Sequence, residues 1–131
     1  MFCEIPESRV ELRNNLAYVI YDAYPVTRLH VLVVPKRHIG TYFELTDEER
    51  DACHQLLVDI KERIQAEDDK VDGFNIGMNS GESAGQTLPH CHIHLIPRRT
   101  GDMENPRGGV RGVIPNKQDY YQAKDELPEQ E

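Results

Sequence analysis

With 131 residues, 38% of them hydrophobic and 29% charged, the chain is sized for one ordinary globular domain around a single core. A formal charge of −8, from 15 basic and 23 acidic residues, excludes the broad positive field on which non-specific nucleic-acid binding depends. The apolar run at 29–34 is far too short to cross a bilayer, and Glu4, Glu7 and Arg9 interrupt any secretory-signal core, so no membrane partner is expected.

In chain order, residues 10–12 read as a short strand, Asn14-Asn15 as a hairpin turn, and 17–22 as a second strand rich in Tyr, Val and Ile. Pro25 sits in the next turn. Residues 29–34 are β-branched, apolar on both faces and stopped by Pro35, which predicts a central strand. Thr46 and Glu49 form a capping box that opens a helix to about residue 67, with Cys53, Leu56, Leu57, Ile60 and Ile64 spaced along one buried face. Residues 74–79 alternate, with Phe74, Ile76 and Met78 on one side and Asn75, Gly77 and Asn79 on the other. A loop at 80–88 leads to a strand at 89–96.

Beyond Pro97 the chain reads as loop and tail, with a short strand near 110–114. Here Arg98, Arg99, Arg107, Arg111 and Lys117 face only Asp102 and Glu104, before Asp119, Asp125, Glu126, Glu129 and Glu131 restore the acidic balance. Such a segment suits a small anionic ligand, or is a solvated charged loop. The expected fold class is α+β, an antiparallel sheet of about five strands with one long helix and a short second helix or tail. Residues 1–98 form the core domain, and 99–131 form an extension on or near the site with a mobile acidic end. Cys3, Cys53 and Cys91 are odd in number and lack a framework spacing, which predicts reduced thiols and a cytoplasmic protein.

The chemistry is concentrated in His90-Cys91-His92-Ile93-His94-Leu95-Ile96-Pro97. On a strand, His90, His92 and His94 share one face at steps of roughly 6 to 7 Å, while Cys91, Ile93 and Leu95 turn to the core. Three readings follow from the residues: hydrogen-bonded structural histidines, a metal site, or nucleophilic catalysis by an imidazole whose neighbours fix its tautomer.

This segment resembles the signature His-φ-His-φ-His-φ-φ (φ apolar) of the histidine triad (HIT) superfamily. The resemblance extends over about residues 3–98, through Asp22 eight residues before His30, Pro35-Lys36 at the strand end, Asn79 eleven before His90, and Gly85-Gln86-Thr87 ahead of the triad. It implies that His92 is the nucleophile, attacking an α-phosphorus to form a nucleotidyl-histidine that water hydrolyses. It also implies that His94 hydrogen-bonds a phosphate oxygen or the leaving group, and that His90 supports the array. Asp22 and Asn79 match positions at the ribose and the phosphate. His30 matches a cleft position, and fits a buried core histidine equally well. Backbone N–H groups of Gly85 and Gln86, with the Thr87 hydroxyl, are placed to bind charge developing on the phosphoryl group.

Departures sharpen the expectation. Some relatives hold zinc through two cysteines, a histidine after the Pro-Lys step and the first triad histidine. Cys3, His38 and His90 match three of these, and the fourth would precede Met1, so no metal or other cofactor is expected. The chain has no Trp, unlike the phosphoramidase branch. His94 stands where transferases of the superfamily have Gln, which points to hydrolysis. Residues 105–115 resemble an extension in some microbial relatives, whose Arg107 and Arg111 would hold distal phosphates. The expected protein is a homodimeric hydrolase of nucleotide phosphoanhydrides or phosphoramidates, with diadenosine polyphosphates as lead substrates and AMP as product. A nucleotide-binding sensor without turnover and a zinc-binding protein are the alternatives.

Overall fold

The structure is a computed structural model and describes residues 5–120. Five strands, β1 (Val10–Arg13), β2 (Ala17–Tyr21), β3 (Val31–Pro35), β4 (Val71–Gly77) and β5 (Ile93–Arg99), form one antiparallel sheet in the order β1-β2-β3-β5-β4. One long helix, α1 (Asp47–Glu67), accompanies it with a few 3₁₀ turns. The chain divides into two compact units, Met1–Arg99 and Thr100–Glu131. No helix among the described residues is long and apolar enough to cross a membrane.

The alternation of side chains along the strands sorts the first unit into two faces. Ala17, Val19, Val31, Val33, Ile93 and Leu95 pack with Cys53, Leu56, Ile60 and Ile64 of α1. On the other face Ile20, Leu32 and Val34 form a smaller cluster with Ile5, Val10 and Tyr18. β3 is therefore buried on both sides, as a central strand with a continuous apolar run should be. His94 pairs across the ladder with Leu32, which puts it on the face turned away from the helix. Phe74 and Met78 pack on the helix-side core, whereas Ile76, 54% exposed, is left on the edge strand.

Local chemistry explains the joints. Asn14 Oδ1 accepts from the N–H groups of Leu16 and Ala17 at 3.1 and 3.0 Å, and its Nδ2 donates to the Ala52 carbonyl at 2.9 Å. One side chain thus closes the β1–β2 hairpin and fastens it to α1. The Cys53 and Cys91 thiols are free and buried, and burial pushes them up to about 12 and about 11, so neither supplies a thiolate at neutral pH.

Several strand expectations differ from the structure, and β4 spans Val71–Gly77 rather than 74–79. β3 starts at Val31 because Leu29 has φ 72° and lies in a turn closed by the His30 N–H on the Thr27 carbonyl at 3.2 Å. The left-handed region costs a branched side chain about 1 kcal/mol. β5 starts at Ile93 rather than at residue 89, because the Cys91 N–H leaves the ladder and donates to the Ile39 carbonyl at 2.8 Å. The strand expected near 110–114 is instead the 3₁₀ turn Gly109–Val113. Gly108 enters it at φ 83°, where a Cβ would lie 1.7 Å from the Gln118 carbonyl oxygen, and Arg111 N–H closes on Gly108 O at 2.8 Å.

Glu49 holds the start of α1. It is 4% exposed, accepts from the Thr46 N–H at 2.9 Å, and receives the Arg37 guanidinium at 2.9 and 2.8 Å. The Arg37 hydrogen bond is the main cause that lowers its carboxyl from 4.5 to about 2. Because the folded value is depressed, this stabilisation is complete above pH 4.5 and is lost as the pH falls through about 2. Glu49→Gln should cost about 2 kcal/mol at neutral pH and flatten the acid branch of the stability profile. Urea unfolding at a series of pH values checks this; parallel acid branches for the two proteins would refute it.

Candidate active site

The three histidines are not one row on one strand. His94 lies within β5, His92 immediately precedes it, and His90 is turned inward and only 1% exposed. The His92 and His94 rings are 5.1 Å apart, and His94 in turn is 5.2 Å from the His30 ring. His90 pairs instead with His38, edge to face at 5.0 Å.

Hydrogen bonds to groups that can only donate or only accept assign the tautomers. His92 Nδ1 lies 2.9 Å from the His90 carbonyl, which can only accept. In the uncharged ring the His92 proton is therefore on Nδ1 and the lone pair on Nε2. His90 Nε2, 2.8 Å from the Pro35 carbonyl, must likewise donate. His30 is the opposite case, because the Val26 N–H donates to its Nδ1 at 3.0 Å. Its proton must sit on Nε2, which faces His94 Nδ1 at 3.0 Å. His94 therefore accepts on Nδ1 and carries its own proton on Nε2.

Charge supports these neutral forms. Burial is the first cause that depresses His30, His90 and His94 below 6.5; neighbouring imidazoles add to it for His90 and His94. Asp22 opposes the shift at His30 and His94, with Oδ2 3.4 Å from His30 Nε2 and 3.8 Å from His94 Nδ1. Asp22 stands at the end of β2, where its N–H donates to the His30 carbonyl and its Oδ1 accepts from the Tyr24 N–H at 2.8 Å.

Asp22, His30 and His94 offer ligand atoms within 4.8 Å of one another, a spacing a metal could use. The tautomers argue against it. A metal on His30 Nε2 would force the proton onto Nδ1, against the Val26 N–H that already points there. For the zinc set drawn from the sequence, His38 and His90 are together and Cys3 lies outside the described residues.

The loop before the triad turns on Gly81 and Gly85, at φ 100° and 96°. It borders an open hollow lined by Glu82, Gly85, Gln86, Thr87, Leu88 and Pro89, with no triad imidazole in the lining. The expectation that the Gly85 and Gln86 N–H groups face a ligand needs correction. They donate to the Glu82 and Gly81 carbonyls at 2.9 and 3.1 Å, within the loop itself. The Gln86 carboxamide is also engaged, accepting from the Gly81 N–H and donating to the Gly40 and Leu88 carbonyls at 2.6 and 3.0 Å. Gln86 thus shapes the loop, and the exposed Thr87 borders the hollow. Asn79, exposed just past β4, has its Nδ2 3.8 Å from the position a Gly85 Cβ would take.

Arg107 and Arg111 belong to the second unit, where Arg111 Nε donates to the Lys117 carbonyl at 3.1 Å. The groups that sequence reasoning missed are backbone ones, the Val26 N–H and the carbonyls of Pro35 and His90. No side-chain pattern announces them.

The family model described as HIT domain matches residues 4–101. The chain is 36% identical over 110 residues to the AP-4-A phosphorylase of Mycobacterium tuberculosis, covering 77% of this chain and 54% of that protein. It is 35% identical over 105 residues to the bis(5'-adenosyl)-triphosphatase of Dictyostelium discoideum, covering 77% and 67%. The crystal structure of Plasmodium falciparum diadenosine triphosphate hydrolase in complex with cyclomarin A superposes with a TM-score of 0.70 at 27% identity, covering 77% and 68%. The chain spans about half the length of the mycobacterial relative.

The desolvated imidazoles of His30 and His94 tie the site to stability. The depressed values of His30 and His94 mean that the unfolded chain takes up protons first, so stability is full above pH 6.5 and falls as the pH drops below it. The urea midpoint should decline across that window, and less steeply in His30→Gln, whose amide cannot titrate. Identical slopes for the two proteins would show that His30 is not held neutral.

Proposed function

From the premise that the chain belongs to the HIT domain family, we propose that it is a hydrolase of nucleotide phosphoanhydrides, with diadenosine polyphosphates as lead substrates and AMP as one product. The observation that carries this reading is the tautomer of His92. Its Nδ1–H is committed to the His90 carbonyl, which leaves the Nε2 lone pair of a half-buried ring for attack. Relatives named for AP-4-A and bis(5'-adenosyl) triphosphate chemistry support the substrate class.

The proposed sequence has two displacements. His92 Nε2 forms a bond to the α-phosphorus as the bond to the leaving phosphate oxygen breaks. The His94 Nε2–H faces the developing negative charge on that oxygen or on the phosphoryl group, and its backing by the His30 Nε2–H keeps the donor tautomer in place. Water then attacks phosphorus and gives up a proton to solvent, the P–N bond breaks, AMP leaves, and the imidazole regains its Nε2 lone pair. Asp22 is the proposed acceptor for ribose hydroxyls and Asn79 a partner for the phosphate region. The loop at Thr87 would line the phosphate path. His90 holds the carbonyl that orients His92, so it acts as a positioning residue. Arg107 and Arg111 are proposed for the distal phosphates.

Turnover of diadenosine tetraphosphate, followed as AMP release, should fall by about 10⁴-fold or more in His92→Ala. A radiolabelled substrate should leave an acid-labile adduct on the intact protein and none on this variant. AMP binding with no turnover by the intact protein would favour the sensor reading. A requirement for inorganic phosphate would make the acceptor phosphate rather than water.

Arg107→Ala combined with Arg111→Ala should raise KM for diadenosine tetraphosphate about tenfold and leave kcat within about twofold. An unchanged KM would remove these two side chains from the phosphate path.

A further inference from the structure

Asp22 and His30 stand at the two ends of one connection between β2 and β3, and that connection contains a strained turn. The His30 N–H closes on the Thr27 carbonyl at 3.2 Å, so residues 27–30 form a β-turn. Leu29, its third residue, has φ 72°, and Arg28 is not among the positive-φ residues. A positive φ at the third residue alone is the sign pattern of a type II turn, in which glycine is the favoured third residue and leucine is not. Rotating the Arg28–Leu29 peptide would give a type I turn and release Leu29 from the left-handed region.

What opposes that rotation is visible. The carbonyl of the rotating peptide, Arg28 O, accepts from Arg99 Nη2 at 3.0 Å. Arg99 is itself gripped by Asp68, the C-cap residue of α1, through Nε and Nη2 at 3.1 and 3.0 Å to Oδ2. Asp68 Oδ1 is fixed in turn by the Lys70 N–H at 3.0 Å, and its Oδ2 also meets Arg28 Nη1 at 3.3 Å. Alongside, Thr27 Oγ1 donates to the Pro97 carbonyl at 2.6 Å and pins the front of the turn to β5. The Arg99 and Asp68 side chains are 18% and 17% exposed, so this ion pair is better shielded from solvent than a surface one.

We propose that Arg99, held by Asp68, is a positioning residue that locks the 27–30 turn in its type II form and so delivers His30 to His94. The turn joins the two features that place His30, the Val26 N–H that donates to its Nδ1 and the backbone that enters β3, so a loosened turn loosens the contact of His30 Nε2 with His94 Nδ1 at 3.0 Å. The lock therefore acts on the proton-bearing nitrogen of His94 from the far end of β5. For activity this rests on the hydrolase reading above; for the turn and the imidazoles it does not.

The test is a rescue. Arg99→Gln should lower kcat/KM for diadenosine tetraphosphate about tenfold, mainly in kcat, and shift the side-chain NMR signals of His30 and His94. Adding Leu29→Gly removes the left-handed penalty, so the double variant should recover at least about half of the lost activity and return both imidazole signals toward those of the intact protein. Leu29→Asn, which tolerates the same backbone angles and keeps a Cβ, should rescue in the same direction if the glycine variant unfolds. Unchanged imidazole signals in Arg99→Gln, or no rescue by either Leu29 substitution, would overturn the lock. An intact protein without turnover would sink the hydrolase reading alone, because the imidazole signals still decide the turn.

Discussion

The arrangement depends on one constraint, that an imidazole facing a one-way partner can hold its proton on only one nitrogen. The His90 carbonyl fixes His92, the Pro35 carbonyl fixes His90, and the Val26 N–H fixes His30 and through it His94. Four rings in close quarters would otherwise sample several tautomers. With the partners in place, one ring presents a lone pair and its neighbour presents a proton. Nucleophilic attack and charge stabilisation need that difference, and both rings lie within 5.1 Å.

The fold supplies these partners from separate elements. Pro35 ends β3, Val26 lies between β2 and β3, and the His90 carbonyl belongs to the approach to β5. β3 is central and buried on both faces, which seats Pro35 and its carbonyl in the core beside His90. Burial also disfavours the charged forms of His30 and His94, and Asp22 only partly offsets it.

The loops around the site are held by side chains bonded to backbone groups and to one another. Gln86 spends its carboxamide on three backbone groups across two loops, and Arg37 with Glu49 fastens the segment after β3 to the helix start. Asp68 and Arg99 do the same for the turn beneath His30. Each of these is a charged or amide side chain used as backbone scaffolding, so residue type alone would misassign it as a ligand contact.

The amino-acid sequence alone determined the helix and its cap, since Thr46, Glu49 and the stripe from Cys53 to Ile64 are local signals read at fixed spacing. It also determined the central strand and the triad motif that identifies the family, because both are contiguous patterns. Where β5 begins, which way His90 turns and where the N–H groups of Gly85 and Gln86 point were decided only by the tertiary structure. Each depends on a backbone group distant in sequence, such as Ile39 O for Cys91 and Pro35 O for His90. Period-two alternation assumes an unbroken strand, and it fails where a long-range hydrogen bond pulls the chain out of the ladder. The proton positions follow the same rule: a histidine's tautomer belongs to its partner, and the partner is known only once the chain has folded.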